Sequence, residues 1–250
     1  MDRPPLPEPF RWEGEHVAAE LPGARVLFST RHGGVSPAPF DSLNLGRLTA
    51  DDGANVDANR ERLAGAVGLP RERFLYGRQV HGARVQRATE PPGPRRPAAD
   101  EDGQATALPD AAALVFVADC LPIVLAGGGA VAAVHGGWRG LAGGIVGEGA
   151  AALRELGGAG PVRAAIGPGA AGCCYEVGEE VHARFADVPG ARAGERTLDL
   201  PAVARAKLAE AGVEEVHDVG LCTMCRRDLF FSHRGDGGTT GRQAGVVWRA

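Results

Sequence analysis

The stretch ADCLPIVLAGGGAVAAVHGGWRG, Ala118–Gly140, holds two β-type runs, Ile123–Ala126 and Ala130–Val134, and a third, Ala113–Ala118, leads into it. Strands in succession, with no helical spacing between them, argue for an α+β fold with a mixed sheet over a doubly wound parallel one. The stretch also sets Cys120 and His135 at opposite ends of an apolar run padded with Gly and Ala. No glycine-rich phosphate loop of the dinucleotide or Walker type follows any strand.

Working outward, residues 1–23 read as a proline-rich, irregular N-terminal segment, and 24–250 as a single domain. Ala24–Thr30 is a strand candidate, followed by a polar loop over Arg31–Gly46. Asn55–Gly68 has helical spacing through Val56, Leu63 and Val67. Phe74–Gln79 and Ala83–Arg87 read as short strands bracketing Val80-His81-Gly82, and Thr89–Gly103 as a surface excursion. Beyond the opening stretch, Leu141–Leu156, Gly178–Phe185 and Pro201–Ala211 read as helices, with Val162–Ile166 and Arg242–Trp248 as strands.

With 44% apolar and 23% charged residues, the 250-residue chain has the composition of a soluble globular protein with a sizeable core. A net charge of −4 gives no electrostatic footprint for nucleic acid; Arg95-Arg96 and Arg226-Arg227 read as solvated surface. No segment resembles a signal peptide or a membrane span, so a cytoplasmic protein, monomer or homodimer, is expected. In a reducing compartment the five cysteines are thiols or ligands rather than disulfides.

His81, Cys120 and His135 each sit at a strand end, where side chains from distant segments can converge. Two imidazoles and a thiolate suit Zn²⁺ and leave a fourth tetrahedral position open. The same trio also suits a thiolate nucleophile activated by imidazole. Separations of 39 and 15 residues match no local zinc motif, so spacing leaves both readings open. Cys222-Thr223-Met224-Cys225 lacks a second CxxC and reads as a packed or solvent-facing thiol pair, and Cys173-Cys174 as packing beside Tyr175. His16, His32, His182 and His217 read as surface residues, while His233, beside Phe230-Phe231, is a candidate pocket residue.

Seven ordered blocks carry a resemblance that runs from about Phe28 to Trp248. They are STRHGGVSPAPFDSLNLG, QVHGARV, ADCLPIVLA, HGGWRG, AIGPG followed by CCYEVGEEV, LCTMCRRDLFFSHR and GRQAGVVW. The chain resembles the YfiH/laccase-domain family, whose members are called polyphenol oxidase, peptidoglycan-editing factor or purine nucleoside phosphorylase. The resemblance implies a layered α/β/β/α domain with two packed sheets. It implies that His81, Cys120 and His135 are the catalytic, metal-binding set. It also implies phosphorolysis of purine nucleosides (adenosine, inosine, guanosine, methylthioadenosine), with adenosine deamination as a side activity. Gly136 stands where alanine is usual, and Gln104 departs from the family block that contains Asp102.

Phosphorolysis needs an anion site, for which Arg31 and Arg139 are the candidates, and Asn44 is a candidate for ribose or base. Zn²⁺ is the expected cofactor, with copper as the alternative ion; purine nucleoside and phosphate are the expected small-molecule partners. Three rivals remain at this level: a Cys-His hydrolase acting on an amide or peptidoglycan precursor, a copper-dependent phenol oxidase, and a non-catalytic partner protein with a structural zinc.

Overall fold

A computed structural model describes residues 3–91 and 99–250. Among the described residues, twelve strands form two six-stranded mixed sheets. The first contains β1 (Arg11–Glu13), β2 (His16–Leu21), β3 (Ala24–Phe28), β4 (Phe74–Leu75), β7 (Ala112–Val117) and β12 (Gln243–Arg249), in the order β1-β2-β3-β12-β7-β4. The second contains β5 (Val85–Ala88), β6 (Gly103–Thr106), β8 (Leu121–Gly127), β9 (Ala130–Gly136), β10 (Arg163–Ile166) and β11 (Glu215–Asp218), in the order β11-β10-β8-β9-β6-β5.

The strands' near-continuous apolar character follows from burial on both faces. Along β7, Ala113 and Val115 enter the layer between the sheets, while Ala112 and Leu114 face outward. Along β8, Val124 and Ala126 turn inward, and Ile123 and Leu125 outward. This period-two division uses every residue of the run. The outer face of the first sheet packs on helix α1 (Gly53–Val67) through Leu63, Ala64 and Val67. The outer face of the second packs on α3 (Ile145–Gly157) and α5 (Leu200–Glu210). The layers are therefore α/β/β/α, as the resemblance implies.

Helix α1 begins at Asp52, whose side chain accepts from the Ala54 N–H, and stops at Gly68 in the left-handed region. The helix expected over 141–156 is two helices, α2 (Trp138–Ala142) and α3, because Gly144 at φ 90° breaks the path. Short α4 (Glu179–His182) runs into a 3₁₀ turn. Residues 1–23 are a correction to the sequence reading: β1 and β2 lie there, and Val17, Ala18 and Ala19 are buried. Pairing with β3 makes this segment part of the sheet despite its proline-rich start. The excursion read over 89–103 ends in the pairing that forms β6; residues 92–98 of it, including the Arg95-Arg96 pair, lie outside the described residues. Among the described residues no helix is long and apolar enough to cross a membrane.

One hairpin sets up the site. Gly128 (φ 58°) and Gly129 (φ 83°) form a two-residue turn between Gly127 and Ala130, a geometry that favours glycine at both positions. Folding back at this turn pairs Leu121 with Gly136 and Pro122 with His135. Residues at the two ends of the opening stretch thereby become neighbours.

Candidate metal and substrate site

Cys120 precedes the first residue of β8, and His135 lies one residue before the end of β9, so the hairpin register juxtaposes them. His81 arrives from the loop between β4 and β5. That loop runs beside residues 99–102, with the Arg78 N–H donating to the Ala99 carbonyl at 2.8 Å and the Glu101 N–H to the Arg78 carbonyl at 3.1 Å. The ligand atoms of His81, Cys120 and His135 all lie within 4.8 Å of one another, and the two imidazole centroids are 4.7 Å apart. Donors about 2.0–2.3 Å from one ion sit within this spacing, so the trio fits a single metal ion.

Asp102, fully buried, organises two of the three. Its carboxylate accepts from His135 Nδ1 at 2.8 Å, which leaves Nε2 as the ligand atom. The same carboxylate accepts the backbone N–H groups of Val80 (3.1 Å), His81 (2.8 Å) and Gly82 (2.7 Å). His81 (φ 62°) and Asp119 (φ 85°) are the non-glycine residues in the left-handed region among those described, and they flank this point. The Asp119 carboxylate accepts from Thr223 Oγ1 and from the Arg234 N–H, each at 2.7 Å, which holds the approach to Cys120. Gly137 supplies the close clearance: a Cβ there would stand 3.0 Å from Cys120 Sγ and 3.1 Å from His81 Cδ2.

Burial opposes charge on both Cys120 and His135. The positive charge of His135 and hydrogen bonds from both imidazoles nevertheless hold the Cys120 thiol down at about 6. Conversely the thiolate and Asp102 carry His135 up to about 9. Burial, with the Cys120 charge behind it, pushes Tyr175 up to about 12, so its hydroxyl stays a proton donor.

The trio lines a cleft of about 850 Å³, a size suited to a small organic ligand. Aromatic Tyr76, Phe116, Trp138 and Tyr175 share its wall with several arginines. Arg60 is committed, giving Nε and Nη2 to the Leu45 carbonyl. Arg47 and Arg78 are paired with Asp57 and Asp100. The Arg139 guanidinium, stacked 4.2 Å from the Trp138 ring centroid, has no hydrogen-bond or ion-pair partner among the described residues. Arg242 gives Nη1 to the carbonyls of Thr240 and Gly241.

Of the residues singled out in the sequence, His81, Cys120, His135, Arg139 and His233 line the cleft, and Arg31 and Asn44 do not. Arg31 donates to Asp41 and to the Arg227 carbonyl and lies over the Phe231 ring. Asn44, fully buried, donates to Thr49 and Asp51 and accepts from Gly46 and Arg242. Both organise loops. His16 and His182, read as surface residues, are buried. The two cysteine pairs, read as separate, meet: Cys173, Cys174, Cys222 and Cys225 form a second cluster. Asp102, named in the sequence only within a family block, and Tyr175, named only beside Cys173-Cys174, were given no site role there, since a lone Asp and a lone Tyr carry no spacing signal.

Comparisons with known proteins give the chain's family. Residues 25–250 match the family model described as multi-copper polyphenol oxidoreductase laccase. A Streptomyces coelicolor protein named purine nucleoside phosphorylase is 42% identical over 90% of this chain and 96% of its own length. Purine nucleoside phosphorylase YlmD of Geobacillus stearothermophilus is 37% identical over 93% of this chain and 92% of its own length. The crystal structure of Geobacillus YlmD has a TM-score of 0.88 at 34% identity, covering 97% of this chain and 99% of that one. For a Neisseria meningitidis protein the values are 0.83 and 36%, with 94% and 99% covered. By sequence and by fold, the chain belongs to the laccase-like polyphenol oxidoreductase family that includes YfiH and YlmD.

Proposed function

We propose that this protein is a purine nucleoside phosphorylase, acting on adenosine, inosine, guanosine and methylthioadenosine, with adenosine deamination as a second activity of the same site. The observation that carries the reading is the convergence of His81, Cys120 and His135 in a cleft walled by aromatic rings and arginines. Relatives named purine nucleoside phosphorylase, at about 40% identity over nearly their full length, support it.

In phosphorolysis a phosphate oxygen bonds to C1′ as the C1′–N9 bond breaks, its electron pair leaves with the purine, and a proton reaches the base. Arg139, with its guanidinium uncommitted and braced on Trp138, holds the phosphate, and Arg242 adds positive charge from the same wall. Tyr175, kept protonated, offers a hydrogen bond to the departing base. His81, Cys120 and His135 would hold the ion, Zn²⁺ by donor type, with Asp102 fixing the His135 tautomer. A zinc ion held there would supply Lewis-acid chemistry for both reactions. Small-molecule partners are thus the nucleoside and phosphate.

A second reading has a specific observation behind it: a Cys120 thiolate paired with a charged His135 is also the ground state of a cysteine nucleophile. One assay separates the two. Adenosine incubated with enzyme and phosphate should yield adenine and ribose 1-phosphate, and base release should stop in phosphate-free buffer. Full-rate release from metal-stripped protein without phosphate, or a covalent adduct on Cys120, would establish the thiol reading instead.

A further inference from the structure

The cluster of Cys173, Cys174, Cys222 and Cys225 takes no part in the cleft. All four sulfurs lie within 4.8 Å of one another. The separations Cys173–Cys225 and Cys173–Cys174 are 3.6 Å, and Cys174–Cys225 is 3.1 Å. Four thiolates about 2.3 Å from one zinc ion sit about 3.8 Å apart in a regular tetrahedron. The sulfurs are therefore already at nearly the spacing of a mononuclear site. An iron–sulfur cluster, which interposes several atoms between its thiolates, requires them to be spread further.

The backbone is arranged for the same purpose. The Arg226 N–H returns to the Cys222 carbonyl at 3.0 Å, closing a turn over Cys222-Thr223-Met224-Cys225. Backbone N–H groups of Ala171, Met224 and Cys225 hydrogen-bond the Cys222 sulfur. On the other side the N–H groups of Cys174 (3.1 Å) and Tyr175 (3.0 Å) fold onto the Ala171 carbonyl. The Thr223 N–H bonds the Gly169 carbonyl at 3.1 Å, locking the two loops in register. Cys173 and Cys225 are exposed and all four thiols are free, so burial of hydrophobic sulfur does not explain the convergence.

We propose that Cys173, Cys174, Cys222 and Cys225 bind one zinc ion that staples the 169–175 loop to the 222–226 turn. Its consequence reaches the cleft. The Ala170 N–H, three residues before Cys173, donates to the Asp119 carbonyl at 2.7 Å. Thr223, between the other two cysteines, donates to the Asp119 carboxylate at 2.7 Å. The staple thus fixes both loops that hold the residue preceding Cys120, and Tyr175 follows Cys174 directly.

The test is zinc content per chain in protein purified without added metal, for the wild type and a Cys173→Ser/Cys225→Ser double variant. These two positions are exposed, and the two remaining thiols would hold zinc poorly. The variant should lose one equivalent relative to wild type, whatever the His81–Cys120–His135 site contains. If the variant does not fold, a Cys120→Ala variant, whose remaining cysteines are these four, should release one zinc in step with their titration by an organomercurial in the presence of a zinc-chelating dye. Equal zinc content in wild type and variant overturns the proposal. So does iron in place of zinc, a Cys174–Cys225 disulfide in freshly purified protein, or titration of the four thiols without zinc release.

Discussion

The Asp102 carboxylate stands 2.8 Å from His135 Nδ1 and at the same time accepts three backbone N–H groups from residues 80–82. One buried charge thereby sets both the tautomer of one histidine and the path of the loop that carries the other. Asp102→Asn exchanges an acceptor oxygen for a donor, so a backbone N–H or the His135 ring loses its partner. Metal affinity is expected to fall about 10–100-fold, as for other second-layer partners of metal-binding histidines. Competition with a chromogenic chelator measures it, and near-native circular dichroism with unchanged affinity would show that the link is dispensable.

Gly137 yields a test of the clearance around the trio. In Gly137→Ala the added methyl meets Cys120 Sγ at 3.0 Å and His81 Cδ2 at 3.1 Å, tighter than ordinary contact, so one of the two must move. Metal content and kcat/KM are expected to fall together, by roughly several-fold, since the shift needed is a few tenths of an ångström and a misplacement near 1 Å costs up to about 100-fold. The variant's Tm should change by only a few degrees, because Gly137 touches the site rather than the core. Full activity would mean that the trio tolerates displacement.

How much of this was legible in the chain varies with the kind of signal. The apolar runs that became β7, β8 and β9 declared themselves because both faces are buried. By contrast β6, Gly103-Gln104-Ala105-Thr106, has no β-type residue except Thr106; it is a strand because β5 and β9 flank it. His81, Cys120 and His135 stood out as reactive types at strand ends. Arg31 read as the first anion candidate, ahead of Arg139, since sequence does not reveal that Asp41 and the Arg227 carbonyl occupy its donors. The cysteine cluster was hidden in the same way. Its pairs are nearly 50 residues apart, and the register between Gly169 and Cys222 brings them together.

The buried His16 gives the fold a pH dependence of its own. Burial lowers its pKa, with Arg3 assisting and Glu13 and Glu15 opposing, and its Nδ1 accepts the Thr30 N–H at 3.4 Å. As pH falls through about 6.5 the unfolded chain takes up a proton that the native state refuses. Stability is therefore full above that pH and declines below it, until the lower native pKa is reached, by at most about 1.4 kcal/mol per unit. His16→Asn retains a hydrogen-bond acceptor but does not titrate. Urea unfolding at pH 7.5, 6.5 and 5.5 should show wild type losing stability relative to the variant only at the acid end; parallel losses would remove His16 as the cause.

The two arginines then separate a substrate role from a structural one. Arg139 lines the cleft with its guanidinium uncommitted, so Arg139→Ala removes a charge-assisted contact without opening a structural gap. Such contacts are worth about 1.5–3 kcal/mol, so KM for phosphate should rise roughly 10- to 100-fold, with a much smaller change in KM for nucleoside. Arg31 lies outside the lining, and its donors serve Asp41 and the Arg227 carbonyl. Arg31→Ala should therefore lower unfolding stability by about 1–3 kcal/mol, since it leaves those acceptors without their partner, and spare the phosphate KM of the folded fraction. Initial-rate kinetics at varied phosphate, paired with denaturant titrations, read both effects. If Arg31→Ala raises the phosphate KM selectively and Arg139→Ala does not, the phosphate lies on the Arg31 side and the cleft assignment fails.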